Sequence, residues 1–333
     1  MKKNKTTIII VIVLFIIAVF FYLTNSYSTI KKELRDFAIE DTASISKIFL
    51  VDKENNQVTL ERQNNQWIVN QKYIARRDVI NLLLKTINRI SVKSPVPKAA
   101  EQNIIKSLAV KSTKIEIYKD EDLIKTYYVG GPTQDQYGTY MLLENSSKPF
   151  IMEIPGFRGY LSTRYFTNIY DWRSQAIFNN SFGSISSVSV NIPSKPNKSF
   201  KIINLHNNRF ELHDFKDEKV VNFDTLSVKT YLAHFKRINF NKFYSNIEKQ
   251  KKDSIIASQP EYIITLEDVN GNVKSVKTYK KTSEGHTDRF GNKLKYDPDN
   301  MYAVFNNDQD LVFAQYYVFD PIMKNINYFL TKK

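Results

Sequence analysis

The 333 residues carry a formal net charge of +14, from 48 Lys and Arg against 34 Asp and Glu, and contain no cysteine. The missing cysteine excludes disulfides, thiolate catalysis and Cys-based zinc or iron–sulfur sites in one step. Hydrophobic residues at 42% and aromatic residues at 13%, with only 9 Gly and 10 Pro, exclude disordered, collagen-like and linker-rich classes and leave a core-forming composition.

Residues 1–5 form a basic head, with Lys2, Lys3 and Lys5, ahead of an almost unbroken apolar run over 6–24, TTIIIVIVLFIIAVFFYLT. A helix of that length reaches roughly 28 Å, close to the hydrocarbon thickness of a bilayer. The run therefore predicts one transmembrane helix, its lysines on the cytoplasmic side and the rest of the chain delivered across. A cleaved secretory signal is the competing reading. The run exceeds the apolar core of about 7–15 residues typical of such signals, and Asn25 and Tyr27 fit poorly around a small-x-small cut, so a retained anchor is expected. Residues 25–44 follow as a juxtamembrane segment, where Lys31, Lys32 and Arg35 can meet anionic headgroups. The expected location is the inner (cytoplasmic) membrane with the bulk in the periplasm, which leaves the membrane and envelope proteins as partners and no nucleic acid.

Beyond residue 44 the chain states one pattern twice, the signature of an internal repeat. In the first half Ile45–Val51 reads as a strand, followed by Val58–Arg62 and Gln66–Val69 around Asn64-Asn65. In the second half Ile185–Ile192 alternates cleanly, and Phe200–Leu205 and Phe210–Leu212 flank Asn207-Asn208, with Phe210 standing where Trp67 stood. Asn suits such tips because it tolerates positive φ. Each hairpin is followed by a helix with apolar residues at three- and four-residue spacing: Val79, Ile80, Leu83, Leu84, Ile87 and Ile90 in the first, and Val228, Tyr231, Leu232, Phe235 and Ile238 after the N-cap Asp224 in the second. Further hairpins follow in the same order. Lys114–Tyr118 with Ile124–Val129 match Tyr262–Leu266 with Val273–Tyr279, where Asn270-Gly271 is a strong turn signal. Thr139–Leu143 with Phe150–Ile154 match Met301–Phe305 with Leu311–Phe313. The expected fold is α+β: two tandem lobes of antiparallel sheet, 45–178 and 185–330, each with one inserted helix, joined near Phe178–Ser184. Repetition of a whole lobe favours a scaffold or receptor surface over an active site.

Chemistry-bearing patterns are sparse. Helix-borne HExxH, GxSxG and Gly-rich phosphate loops are absent. The four histidines, His206, His213, His234 and His286, are not spaced as co-ligands. The segment 282–300 is the longest polar insertion, with Glu284, Asp288, Asp297 and Asp299 as candidate oxygen ligands, but the twelve-position pattern of a calcium loop is missing. It reads as a solvated or partner-contacting loop, with His286, Asp288 and Arg289 as contact candidates. Asp171, Trp172 and Arg173 offer a second candidate contact, because Trp and Arg are common interface anchors; the alternative is a Trp that fills the seam between lobes. Gly130-Gly131-Pro132 reads either as an anion cradle or as a tight strand exit. No catalytic, metal-ligating or cofactor-binding residue is assigned, and the chain is read as non-catalytic; a carboxylate-based hydrolase, which leaves no short signature, is the remaining enzyme alternative.

Asp36–Lys47 (DFAIEDTASISK), Val129–Gly131 (VGG) leading to Gly138-Thr139-Tyr140, Pro155–Tyr160 (PGFRGY) and Tyr170–Phe178 (YDWRSQAIF) come in an order and spacing that resembles a widespread family of bacterial proteins of unknown function. Members of that family have one N-terminal membrane helix and a repeated extracytoplasmic α+β unit. Their genes typically lie beside an ABC transporter of the gliding-motility type and its extracytoplasmic substrate-binding-like subunit. The resemblance implies an accessory or scaffold subunit that binds integral or extracytoplasmic components of such a complex, and it supplies no catalytic residues. An independent envelope glycan- or lipid-binding protein is the alternative.

Overall fold

The computed structural model describes residues 12–16, 36–64 and 66–331. Residues 12–16 are helical with exposed side chains. Apart from them, the expected head 1–5, the span 6–24 and the basic residues Lys31, Lys32 and Arg35 lie outside the described residues, as does Asn65 of the predicted Asn64-Asn65 turn. Among the described residues no helix is long and apolar enough to cross a membrane.

The chain divides into two units, Met1–Ser174 and Gln175–Lys333. The first contains β1 (Lys47–Val51), β2 (Gln57–Gln63), β3 (Gln66–Val69), β4 (Tyr73–Ile74), α1 (Arg77–Arg89), β5 (Ser91–Pro95), α2 (Lys98–Val110), β6 (Thr113–Lys119), β7 (Asp122–Pro132), β8 (Thr139–Leu143), β9 (Phe150–Glu153) and the short α3 (Ile169–Trp172). Its strands form one antiparallel sheet in the order β4-β3-β2-β1-β6-β7-β8-β9-β5. The second contains β10 (Ala176–Phe178), β11 (Ile185–Asn191), β12 (Phe200–Asn204), β13 (Phe210–His213), β14 (Lys219–Val220), α4 (Thr225–Ala233), β15 (Ile238–Asn239), β16 (Lys242–Phe243), α5 (Lys249–Ala257), β17 (Tyr262–Asp268), β18 (Val273–Thr282), β19 (Tyr296–Phe305), β20 (Asp310–Gln315) and α6 (Tyr316–Phe319). Its large sheet runs β14-β13-β12-β11-β17-β18-β19-β20-β16, the same order strand for strand, and β10 and β15 pair separately.

Period-two alternation sets the buried face of each sheet. Ile48 and Leu50, Val58 and Leu60, and Ile115 and Ile117 are buried in the first unit, as are Val188 and Val190, Phe200 and Ile202, and Ile264 and Leu266 in the second. Ile80, Leu83 and Ile87 of α1 close over the first set, and Val228, Tyr231 and Leu232 of α4 over the second. The cross-strand register pairs Leu60 with Val69 and Ile202 with Leu212, so Trp67 and Phe210 do occupy equivalent places two residues earlier.

Four hairpin connections share one construction. In each, an aspartate (Asp52, Asp214, Asp268 or Asp288) accepts on Oδ1 the backbone N–H groups two and four residues ahead, while the residue three ahead has a positive φ. These carboxylates replace backbone partners that the turn cannot supply and so fix the loop geometry. The predicted Asn tips behave likewise: Asn64, Asn207 and Asn208 all have positive φ.

Three expectations are corrected. Each unit carries two substantial helices and not one. The second helices lie on the opposite sheet face: Leu108 of α2 closes over β7, and Ile255 and Ile256 of α5 pack against Tyr279, Tyr302, Val304 and Leu311. The first unit also begins before residue 45, because Phe37 is buried 5.9 Å from the Tyr127 ring and 6.2 Å from the Phe150 ring. The division falls at 174/175 and not at 178–184, because β10 pairs with β15 and Phe178 packs 5.2 Å from Phe235 inside the second core.

Gly130 of the Gly130-Gly131-Pro132 segment has a packing role that neither reading named. A Cβ there would stand 2.5 Å from Leu108 Cδ2, so the glycine exists to let α2 approach the strand; at Gly138 a Cβ would stand 2.5 Å from Ile151 Cγ2. Gly130→Val is expected to destabilise the first unit by about 1–3 kcal/mol through overpacking, whereas Gly131→Ala, where a Cβ meets nothing within 4 Å, should change little. Chemical denaturation of the two variants measures the difference.

Candidate functional site

Asp171, Trp172 and Arg173 lie in the segment that closes the first unit. Asn168 caps α3 by accepting the Tyr170 N–H at 3.1 Å. Trp172 is fully buried, its indole N–H donating to the Phe166 carbonyl at 2.9 Å and its ring 4.3 Å from that of Phe166. The Trp172 carbonyl accepts the Arg76 N–H at 2.7 Å, Arg173 forms an antiparallel bridge with Ala75, and the Ser174 N–H donates to Ile74 at 2.8 Å. Arg173 is 5% exposed, its guanidinium 3.6 Å over the Tyr73 ring and 5.6 Å from that of Tyr170. Only Asp171 of the three is on the surface.

The second unit closes in the same way, and here sequence reading missed part of the repeat. Asn168–Ser174 (NIYDWRS) aligns with Asn325–Thr331 (NINYFLT). Asn325 accepts the Asn327 N–H at 3.0 Å, Phe329 is buried in the place of Trp172, its carbonyl accepts the Asp224 N–H at 2.8 Å, and Leu330 bridges Phe223. The Asp-Trp-Arg triplet is therefore first of all a latch that recurs in both units; Trp172 fills the core of the first.

The other candidate breaks the repeat. Six residues connect β7 to β8, whereas thirteen connect β18 to β19. The longer connection, read from sequence as a loop, is a narrow hairpin. Ser283 N–H donates to Lys295 at 3.1 Å, Leu294 N–H to His286 at 2.9 Å, Thr287 bridges Lys293, and Asp288 N–H donates to Asn292 at 2.9 Å. Asp288 is committed to the turn, and Arg289 lies with its guanidinium 4.7 Å from the Phe290 ring. Phe290, which the sequence reading passed over, stands at the tip and is 73% exposed.

At the hairpin base Lys281 Nζ lies 3.0 Å from Asp297 Oδ2, with side chains 10% and 2% exposed. Asp297 also accepts the backbone N–H of Asn300 at 2.8 Å and of Asp299 at 3.0 Å. Burial alone raises this carboxyl, but the Asn300 and Asp299 amides and the Lys281 ammonium outweigh it and hold the pKa down at about 2. Glu284 stands 3.6 Å from Lys281 and His286 3.8 Å from Asp297 at the solvent edge. A carboxylate held so firmly in its charged form carries no proton to give near neutral pH, and the pair anchors the hairpin. The structure thus brings His286 to this pair and places Asp288 and Arg289 out at the tip. His213 lies elsewhere, against Glu211 and Asp217. Among the described residues, no group of three or more His, Asp or Glu side chains is arranged to hold a metal ion.

No curated protein and no solved structure matches the chain. A model of a domain of unknown function, DUF4340, matches residues 69–260, from the end of β3 to just before β17; the hairpin at 283–295 lies outside the matched span. That match covers more than half of the sequence and crosses from one unit into the other, and so the chain belongs to the DUF4340 family.

Proposed function

We propose that this protein is a non-catalytic, membrane-anchored accessory or scaffold subunit, held in the inner membrane by the apolar run 6–24, with its two units in the periplasm. Its partners in this reading are integral or extracytoplasmic components of an ABC transporter complex of the gliding-motility type. The observation that carries the reading is duplication: both sheets have one nine-strand order, and each unit ends on the same latch. A lobe repeated with its closing devices intact multiplies surface, which suits a scaffold. The residues with the most distinctive chemistry are engaged internally, Arg173 on tyrosine rings and Lys281 with Asp297. Gentle solubilisation and affinity capture of the tagged chain from its own cells tests the proposal. Transporter subunits should be captured in constant proportion with the chain across several mild detergents; recovery of the chain alone from all of them would overturn it.

A second reading, an envelope lipid- or glycan-binding protein, draws on the net charge of +14 and on the cations of the β18–β19 hairpin. Retention on envelope fractions that falls steeply with salt would favour it.

A further inference from the structure

The β18–β19 hairpin is built to present one aromatic side chain among cations. Its backbone ladder and the Asp288 turn fix the tip, and the Lys281–Asp297 pair fixes the base. Two carboxylates of this segment are engaged within it, Asp288 by the turn amides and Asp297 by Lys281 and the Asn300 and Asp299 amides, while Glu284, 3.6 Å from Lys281, and Asp299 are exposed toward the hairpin base. Arg289, Lys293 and Lys295 are exposed, and among the described residues none has a carboxylate within 4.0 Å. Phe290 stands beside Arg289, and the Tyr296 ring at the base lies 4.9 Å from Lys280 and 5.3 Å from Lys295.

We propose that this hairpin inserts Phe290 into the interfacial region of an anionic lipid surface, with Arg289, Lys293 and Lys295 on the headgroups. An aromatic ring buried at the headgroup level and basic residues paired with anionic lipid are the two contributions that hold a soluble element to a bilayer. The charge complementarity decides the occupant: three exposed cations without a carboxylate partner, on the same hairpin as the projecting Phe290 ring, match a soft anionic surface, which needs no preformed socket. The inference rests on the membrane-anchored reading and deepens it, by giving the second unit its own contact with lipid.

The cysteine-free sequence allows a direct test. Full-length protein carrying Phe290→Cys, labelled with an environment-sensitive fluorophore, is reconstituted into vesicles of zwitterionic lipid alone or with an anionic phospholipid. Glu54→Cys, at the same position of the Asp52 turn, is the control. The expected result is a blue shift at position 290, and its quenching by nitroxide-labelled lipid, in anionic vesicles only. Both should be lost in the triple Arg289→Ser, Lys293→Ser, Lys295→Ser background and as salt rises from about 0.1 M to about 1 M, which shortens the Debye length from about 10 Å to about 3 Å. An aqueous spectrum at 290 in both vesicle types, equal shifts in both, or shielding only when envelope proteins are co-reconstituted would overturn the proposal. Flotation of the same vesicles reads the anchor separately: protein that floats with an aqueous probe at 290 retains the anchor and loses the hairpin contact, and protein that fails to float contradicts the anchor itself.

Discussion

Trp172→Ala will destabilise the first unit by about 3–5 kcal/mol, the range for removing a large aromatic side chain from a packed core. The indole is fully buried, donates one hydrogen bond and packs with its ring 4.3 Å from that of Phe166. The loss is compounded because Trp172 lies between the Asn168 cap and the bridge at Arg173, so a cavity there loosens the strand-like pairing of 172–174 with 74–76. Trp172→Phe, which installs the residue found at the equivalent place in the second unit, should retain most of the stability. Asp171→Ala, at the exposed neighbour, should stay within about 0.5 kcal/mol of the parent. Equilibrium denaturation of the three variants measures this ordering, and equal midpoints for the alanine variants would contradict the latch.

The second large effect belongs to the hairpin base. Removing either partner of a buried ion pair leaves the other charge uncompensated and costs about 3–5 kcal/mol. Asp297→Ala should be worse than Lys281→Met, because it also strips the acceptor from the Asn300 and Asp299 amides. The pair brings a pH dependence with a definite sign. Folding lowers the Asp297 carboxyl to about 2, so its contribution is complete above the ordinary carboxylate pKa near 4 and is lost as the pH falls from about 4 toward 2. The lost contribution amounts to about 2 kcal/mol at 1.36 kcal/mol per pKa unit. The amide protection factors at 283–295, which correct the observed exchange for the slower intrinsic rate in acid, should therefore fall as the pH drops from about 4 toward 2 in the parent protein; the same fall in Asp297→Ala would assign the effect to other groups.

Much of the fold was legible because local chemistry and the global pattern agree. Alternation in β1, β6, β11 and β17 and the stripes of α1 and α4 carry strong local signals that face the core as their periodicity implied, and the Asn tips take the positive φ expected of them. The helix α4, however, ends at Ala233, so that Phe235 of the predicted stripe lies in a 3-10 turn and Ile238 in β15. The second helices were not legible because they bury so little: α2 has only Leu108 fully buried, and α5 has no residue fully buried. The unit boundary was hidden because β10 finds its partner β15 some sixty residues later, a pairing that no local pattern announces. The recurrence of the latch escaped notice because Trp172 and Phe329 share a place and not an identity.

The candidate sites divide along the same line. Asp171-Trp172-Arg173 drew attention through residue types common at interfaces, yet burial turns two of the three inward. The segment 282–300 stood out by its polarity, but composition does not reveal a hairpin ladder, nor that Lys281 meets Asp297 across sixteen positions. Phe290 was overlooked because a lone aromatic residue between Arg289 and Gly291 has no periodicity to mark it. Only the turn shows that this ring points to solvent.

The central claim, an anchored chain whose duplicated body lies outside the cytoplasm, is tested most directly by thiol labelling in cells. A single cysteine at Asn270, in the exposed turn between β17 and β18, is offered a membrane-impermeant maleimide in intact spheroplasts, and membranes are then washed with alkaline carbonate. The account predicts full labelling before lysis and retention of the labelled chain in the washed membranes. Labelling only after lysis, or release of the chain into the carbonate wash, would contradict it.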